Sequence, residues 1–143
     1  MTLGITLDQA RAIVAGTLAA GHERGFNPLT VVVLDAGGHV TAVEREDGSS
    51  AKRFEIAHGK AFGALSLGMG GRAVAKRAVD QPTFIAAVSH VIGGSLVPVP
   101  GGVLLRDASG TLLGAAGASG DLSENDEAAL LAGIAAAGLT GEP

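Results

Sequence analysis

Two stretches concentrate the side chains able to move protons or hold charge. The first, Glu44-Arg45-Glu46-Asp47, sets four consecutive charges ahead of Gly48-Ser49-Ser50. Its carboxylates could serve as general acid or base, Glu44 foremost, and Arg45 could clamp an anionic group. Read plainly, the same run is a solvated loop. The second, Lys52-Arg53-Phe54-Glu55-Ile56-Ala57-His58-Gly59-Lys60, has helical spacing. Arg53, Ala57 and Lys60 share one face, while Glu55 and His58 stand three apart on a neighbouring one. A histidine beside a carboxylate is a candidate general base, with Lys60 and Arg53 placed to hold a carboxylate or oxyanion. An ordinary surface ion pair satisfies the same spacing.

The glycine-rich stretches come next. Gly68-Met69-Gly70-Gly71-Arg72 opens a helix whose free N–H groups, helped by Arg72, could meet an anion. No phosphate-loop pattern accompanies it, and separating two helices is the plainer role. Gly114-x-x-Gly117-x-x-Gly120 leads into Asp121, Glu124 and Asp126. That acidic cluster repels phosphate; Asp121 could be a second acid/base, or the cluster could simply balance a helix dipole. No serine sits in a Gly-x-Ser-x-Gly elbow, which disfavours a serine hydrolase. His22, His39, His58 and His90 fall on separate expected elements, so no metal site is expected.

These residues need a scaffold. Thr6 with Gln9 forms a capping-box pattern, and apolar spacing predicts a helix from Leu7 to about Arg24, stopped by Gly25. Leu29–Leu34 is apolar at nearly every position, which predicts a strand buried on both faces. Asp35-Ala36-Gly37-Gly38 turns the chain into a returning strand, His39–Glu44. Helices are expected over 51–67, 72–80 and 82–91. The alternating prolines Pro98 and Pro100 restrict the next segment to an edge strand or a loop crossing a cleft. Val103–Arg106 and Thr111–Ala118 flank a second turn, Asp107-Ala108-Ser109-Gly110, and Ser123 with Asp126 suggests a capping box for a last helix ending near Gly138. The two turns echo each other at an offset of 72 residues. Duplication of a hairpin explains this, and so does turn chemistry alone. Two hairpins covered by helices predict an α+β sandwich.

A chain of 143 residues with 47% apolar and 17% charged content fits one globular domain with an ordinary core. The absence of cysteine excludes disulfides, thiolate metal sites and a cysteine nucleophile. No apolar run reaches membrane-spanning length and no secretory leader is visible, so a cytoplasmic protein without membrane contact is expected. A net charge of −4 and four Phe, with no Trp or Tyr, leave neither the charge nor the stacking platform for nucleic acid. A small molecule or another protein chain is the expected partner.

As a set, several motifs resemble the GlcG/HbpS-like family, which includes the C-terminal domain of PduO-type proteins. They are Val33-Leu34-Asp35-Ala36-Gly37-Gly38-His39, the helix carrying Lys60-Ala61, and Pro100-Gly101-Gly102-Val103-Leu104-Leu105-Arg106-Asp107. Gly114-Ala115-Ala116-Gly117-Ala118-Ser119-Gly120-Asp121 with Asn125-Asp126-Glu127-Ala128 completes the set, in order over nearly the whole chain. The resemblance implies a profilin-like α/β/α sandwich on an antiparallel sheet of about five strands, assembled into homo-oligomers. It also implies small-ligand binding, with haem or another tetrapyrrole as one cofactor expectation and no cofactor as the other. Gly101, Gly102 and Asn125 then join Arg45, Arg53 and Arg72 as candidate ligand contacts. The alternative is a cofactor-independent enzyme acting on a small organic acid, carbonyl or lactone-like substrate. Glu44, His58, Lys60 and Asp121 would carry its acid/base chemistry.

Overall fold

The computed structural model describes residues 4–143. Its elements are α1 (Leu7–Glu23), β1 (Thr30–Asp35), β2 (Val40–Arg45), α2 (Arg53–Leu67), α3 (Gly71–Asp80), α4 (Pro82–Val91), β3 (Gly102–Arg106), β4 (Leu112–Ser119), α5 (Ser123–Ala136) and β5 (Thr140–Glu142). The strands form one antiparallel sheet in the order β2-β1-β4-β3-β5. Among the described residues, no helix is long and apolar enough to cross a membrane.

Alternation along the strands sorts the core into two layers. Val31, Val33, Val103, Leu105, Ala116 and Ala118 pack with Ile13, Val14, Leu130 and Ile134 of α1 and α5. Val32, Leu34, Leu104 and Ala115 pack with Ala57, Ala61 and Ala64 of α2 on the opposite face. The α/β/α sandwich expected from the sequence is therefore present. A third, smaller cluster of Val74, Ile85 and Leu96 joins α3 and α4 to the segment after them.

Small residues set the spacing of these layers. A Cβ at Gly117 would lie 2.1 Å from the Ala57 carbonyl oxygen, and one at Gly102 would lie 2.2 Å from that of Lys60. Helix α2 thus rests almost backbone to backbone on β3 and β4. Helices α1 and α5 meet the same way, with a Cβ at Gly16 only 2.9 Å from Gly133 Cα. The high glycine content reflects close approach as well as turns.

The two hairpins match bond for bond. Asp35 Oδ1 accepts the N–H groups of Gly37 and His39, and Asp107 Oδ1 accepts those of Ser109 and Thr111. Each hairpin also has a register shift, beside Leu34 in one and Arg106 in the other. The Thr6–Gln9 capping box is formed in both directions. The expected box at Ser123 is not: α5 starts after Leu122 with no side-chain cap, because Asp126 turns inward and accepts the Asp121 N–H at 2.9 Å. The proline segment is an irregular strap lying across α2, where Val97 N–H donates to Gly59 O at 3.1 Å. Strand β5 had no counterpart in the local sequence pattern.

Candidate functional site

The inward face of α2 carries Lys60, whose side chain is only 2% exposed. Its ammonium donates to Asp126 Oδ2 and to the Ala118 carbonyl, both at 3.0 Å. Burial pushes the Lys60 amine down and the Asp126 carboxyl up, and each partner's charge opposes the other's shift. Gly101 closes over this pair, since a Cβ there would stand 2.9 Å from Nζ. On the same face Arg53 donates to Ser50 Oγ at 2.9 Å and to the buried Ser119 Oγ at 3.0 Å. The two cations therefore fasten α2 to the end of β4 and the start of α5.

His58 lies one face round. Its Nδ1 is 2.6 Å from Ser95 Oγ, at the start of the strap. Its ring stacks on Phe62 at 5.4 Å and tilts against Phe54 at 5.8 Å. Phe54, Glu55, His58, Gly93, Gly94 and Ser95 line a groove of about 290 Å³. In the tautomer that donates Nδ1–H to Ser95, Nε2 keeps a free lone pair. Burial pushes the imidazole pKa below its ordinary value, which favours the neutral ring. Glu55, the partner expected from the sequence, turns instead to Lys52 at 3.8 Å.

The Glu44–Asp47 stretch lines a separate groove of about 410 Å³, with Leu18, Phe26 and Pro28 as its apolar part. Here Glu46 accepts the Leu29 N–H at 2.7 Å and pairs with His22 at 2.5 Å. The Arg45 guanidinium donates to the Ser49 carbonyl. Asp121 is engaged by the backbone: it accepts the N–H groups of Asn27 and Leu122 and the Asn125 amide. Those donors hold its carboxyl below the usual carboxylate range, leaving it a poor proton donor at neutral pH. Asn125 thus orients Asp121, and Arg72 pairs with the buried Glu127 at 2.7 Å. The helix terminus beside Arg72 is occupied by the chain itself, because Pro143 packs against Gly70. Glu44, His58, Lys60 and Asp121 do not share one cavity: Glu44 and His58 line different grooves, Lys60 is buried and Asp121 braces a loop.

The model for the family described as "Haem degrading protein HbpS-like" matches residues 5–135. The chain belongs to the HbpS-like family. A search of curated proteins returns no significant match. Among solved structures, this HbpS-like chain is similar to HbpS, at 26% identity and TM-score 0.79, over 94% of this chain and 91% of that one. It shares its fold with the protein in a PduOC–haem complex, at 21% identity and TM-score 0.85, over 99% and 100% of the two chains. It also shares it with the ORFY protein of Klebsiella pneumoniae, at 22% identity and TM-score 0.84, over 96% and 92%.

Sequence reasoning missed two features of this HbpS-like chain. Ser95, the partner of His58, lies 37 positions away with no local signal. Glu127, quoted from the sequence only within the family motif, is buried, and its Oε2 has no hydrogen-bond partner among the described residues.

Proposed function

We propose that this chain is a small-ligand-binding protein of the HbpS type, and that it holds haem or a similar flat tetrapyrrole at His58. The observation that carries the reading is an imidazole fixed by Ser95, stacked on Phe62, tilted against Phe54 and lining a groove. Metal-binding histidines commonly have their second ring nitrogen anchored in this way. The residues fit such a group: His58 would ligate through Nε2, and Phe54 would supply apolar contact. Haem, when bound, would supply a redox-active iron. The family description and the haem complex of the PduOC protein support the same choice.

Titration of the purified protein with hemin tests the proposal. A saturable Soret shift is expected, and His58→Ala should weaken binding by at least about tenfold. Because the His58 pKa is lowered, affinity should persist to more acidic pH than an exposed imidazole, titrating near 6.5, would allow. Wild-type-like binding by His58→Ala would overturn the assignment.

Self-association belongs to the same proposal. Strand β2 is a sheet edge, and its Val40 and Val43 are 50% and 36% exposed. Unprotected apolar edges favour pairing with another chain. Light scattering at micromolar concentration should give a multiple of the chain mass, and a monomer mass would remove this part.

A further inference from the structure

We infer that the His58 groove continues across the Gly93–Gly94 turn to His90, forming one trough for a single flat ligand. The inference rests on the reading above and enlarges its site. A second hollow, about 550 Å³, is lined by Ala86, Ser89, His90, Gly93 and Gly94. It therefore shares both turn glycines with the hollow of about 290 Å³ that His58 lines.

The turn suits a shared floor. Gly93 and Gly94 have φ of +85° and +91°, a left-handed conformation that side-chain-bearing residues rarely adopt. Among the described residues, a Cβ built on either would meet nothing within 4 Å, so the pair presents bare backbone to open space. A flat molecule can lie across such a floor where branched side chains would stand in its way.

The far wall is α4. Ala86, Ser89 and His90 recur at i, i+3 and i+4, which places them on one face of α4, and Gly93 follows in the turn beyond its end. No Asp, Glu, Lys or Arg occurs between Pro82 and Gly94. Among the side chains lining the two hollows, Glu55 is the only carboxylate and no Lys or Arg is present. The trough thus has an apolar body with one imidazole in each of its two hollows. Size supports joining the hollows, because ligand pockets typically hold roughly 300–1,000 Å³. The His58 hollow alone falls at the lower limit of that range. Within the trough His58 engages the ligand's centre, while His90 and Ser89 meet its polar edge.

Two probes separate this inference from the reading on which it rests. Hemin reports coordination, and iron-free protoporphyrin IX reports the trough without coordination. His90→Ala and Ala86→Trp alter exposed positions of α4, and unchanged thermal midpoints would show that both variants fold. Each is expected to weaken hemin and protoporphyrin IX binding by about tenfold, leaving the Soret position of bound hemin unchanged. His58→Ala should instead shift the Soret band while retaining most of the protoporphyrin affinity. Wild-type-like affinity of both α4 variants for both probes would confine the site to the His58 groove and overturn the inference, leaving the haem reading intact. Failure of the wild-type protein to bind hemin would remove the reading and the trough with it.

Discussion

Replacing Lys60 by methionine is expected to remove about 3–5 kcal/mol of folding stability, the usual cost of leaving one partner of a buried ion pair uncompensated. Asp126, its side chain 1% exposed, would keep the Asp121 N–H but lose its only cationic partner among the described residues. Removing both charges is a different experiment. In Lys60→Met/Asp126→Leu no buried charge is stranded, and most of the loss should be recovered. Urea midpoints of the two variants measure the difference, and a loss below about 1 kcal/mol in the single variant would show the pair to be unimportant.

The pH dependence provides a second check. Burial raises the Asp126 pKa above its ordinary 3.8. A carboxyl whose folded pKa is raised binds more protons in the folded state, so its penalty is absent at low pH. The penalty grows as pH rises from the unfolded value through the folded one. In Lys60→Met, where the opposing charge is gone, the deficit should therefore be smaller near pH 4 than at pH 7. The reverse trend would mean that Asp126 is not stranded.

The second large effect is expected at Gly117. Its φ is not positive, so alanine there suffers no backbone strain and would gain slightly by restricting the unfolded chain. Contact decides the sign instead. The added Cβ would lie 2.1 Å from the Ala57 carbonyl oxygen and 3.2 Å from Ala61 Cβ, and the first of these is backbone that cannot swing aside. Helix α2 must lift from β4, disturbing the packing of Ala57, Ala61 and Ala64. A loss of at least about 3 kcal/mol is expected, at the upper end for overpacking, with a thermal midpoint lower by roughly 10 °C. Gly25→Ala is the control: φ is +70° and an added Cβ meets no atom of the described residues within 4 Å, so only about 1–2 kcal/mol of conformational cost applies. Equal midpoints for Gly117→Ala and the wild type would contradict the close seating of α2.

What could be read from the sequence was local. The Thr6–Gln9 box, the buried run of β1 and the Asp35 and Asp107 turns all depend on residues within four positions of one another. Each was legible for that reason. The site was legible only in part. Arg53, His58, Lys60 and Arg72 were singled out by residue type, but their partners come from afar: Ser119 for Arg53, Ser95 for His58, Asp126 for Lys60 and Glu127 for Arg72. Local spacing favoured Glu55 as the partner of His58 and Ser123 as a helix cap. In both cases the outcome followed from an element reached only through tertiary folding. Strand β5 was missed because three residues, one of them glycine, carry too little alternation to register.

The strand order has a consequence for how the chain reaches its native state. Strand β1 has β2 on one side and β4 on the other, and β4 ends at Ser119. The first hairpin can close early, but Val31–Leu34, buried on both faces in the finished protein, must wait for β4 before their second edge is paired. Non-local pairing of this kind forms slowly, because a long loop must close before its contacts reward it. On a ribosome the wait becomes a matter of synthesis rate: β1 spends the translation of three helices and a strand as an apolar ribbon with an open edge. The completion of this protein is thus timed by the arrival of its C-terminal third, and the stability of the first hairpin has little say in it.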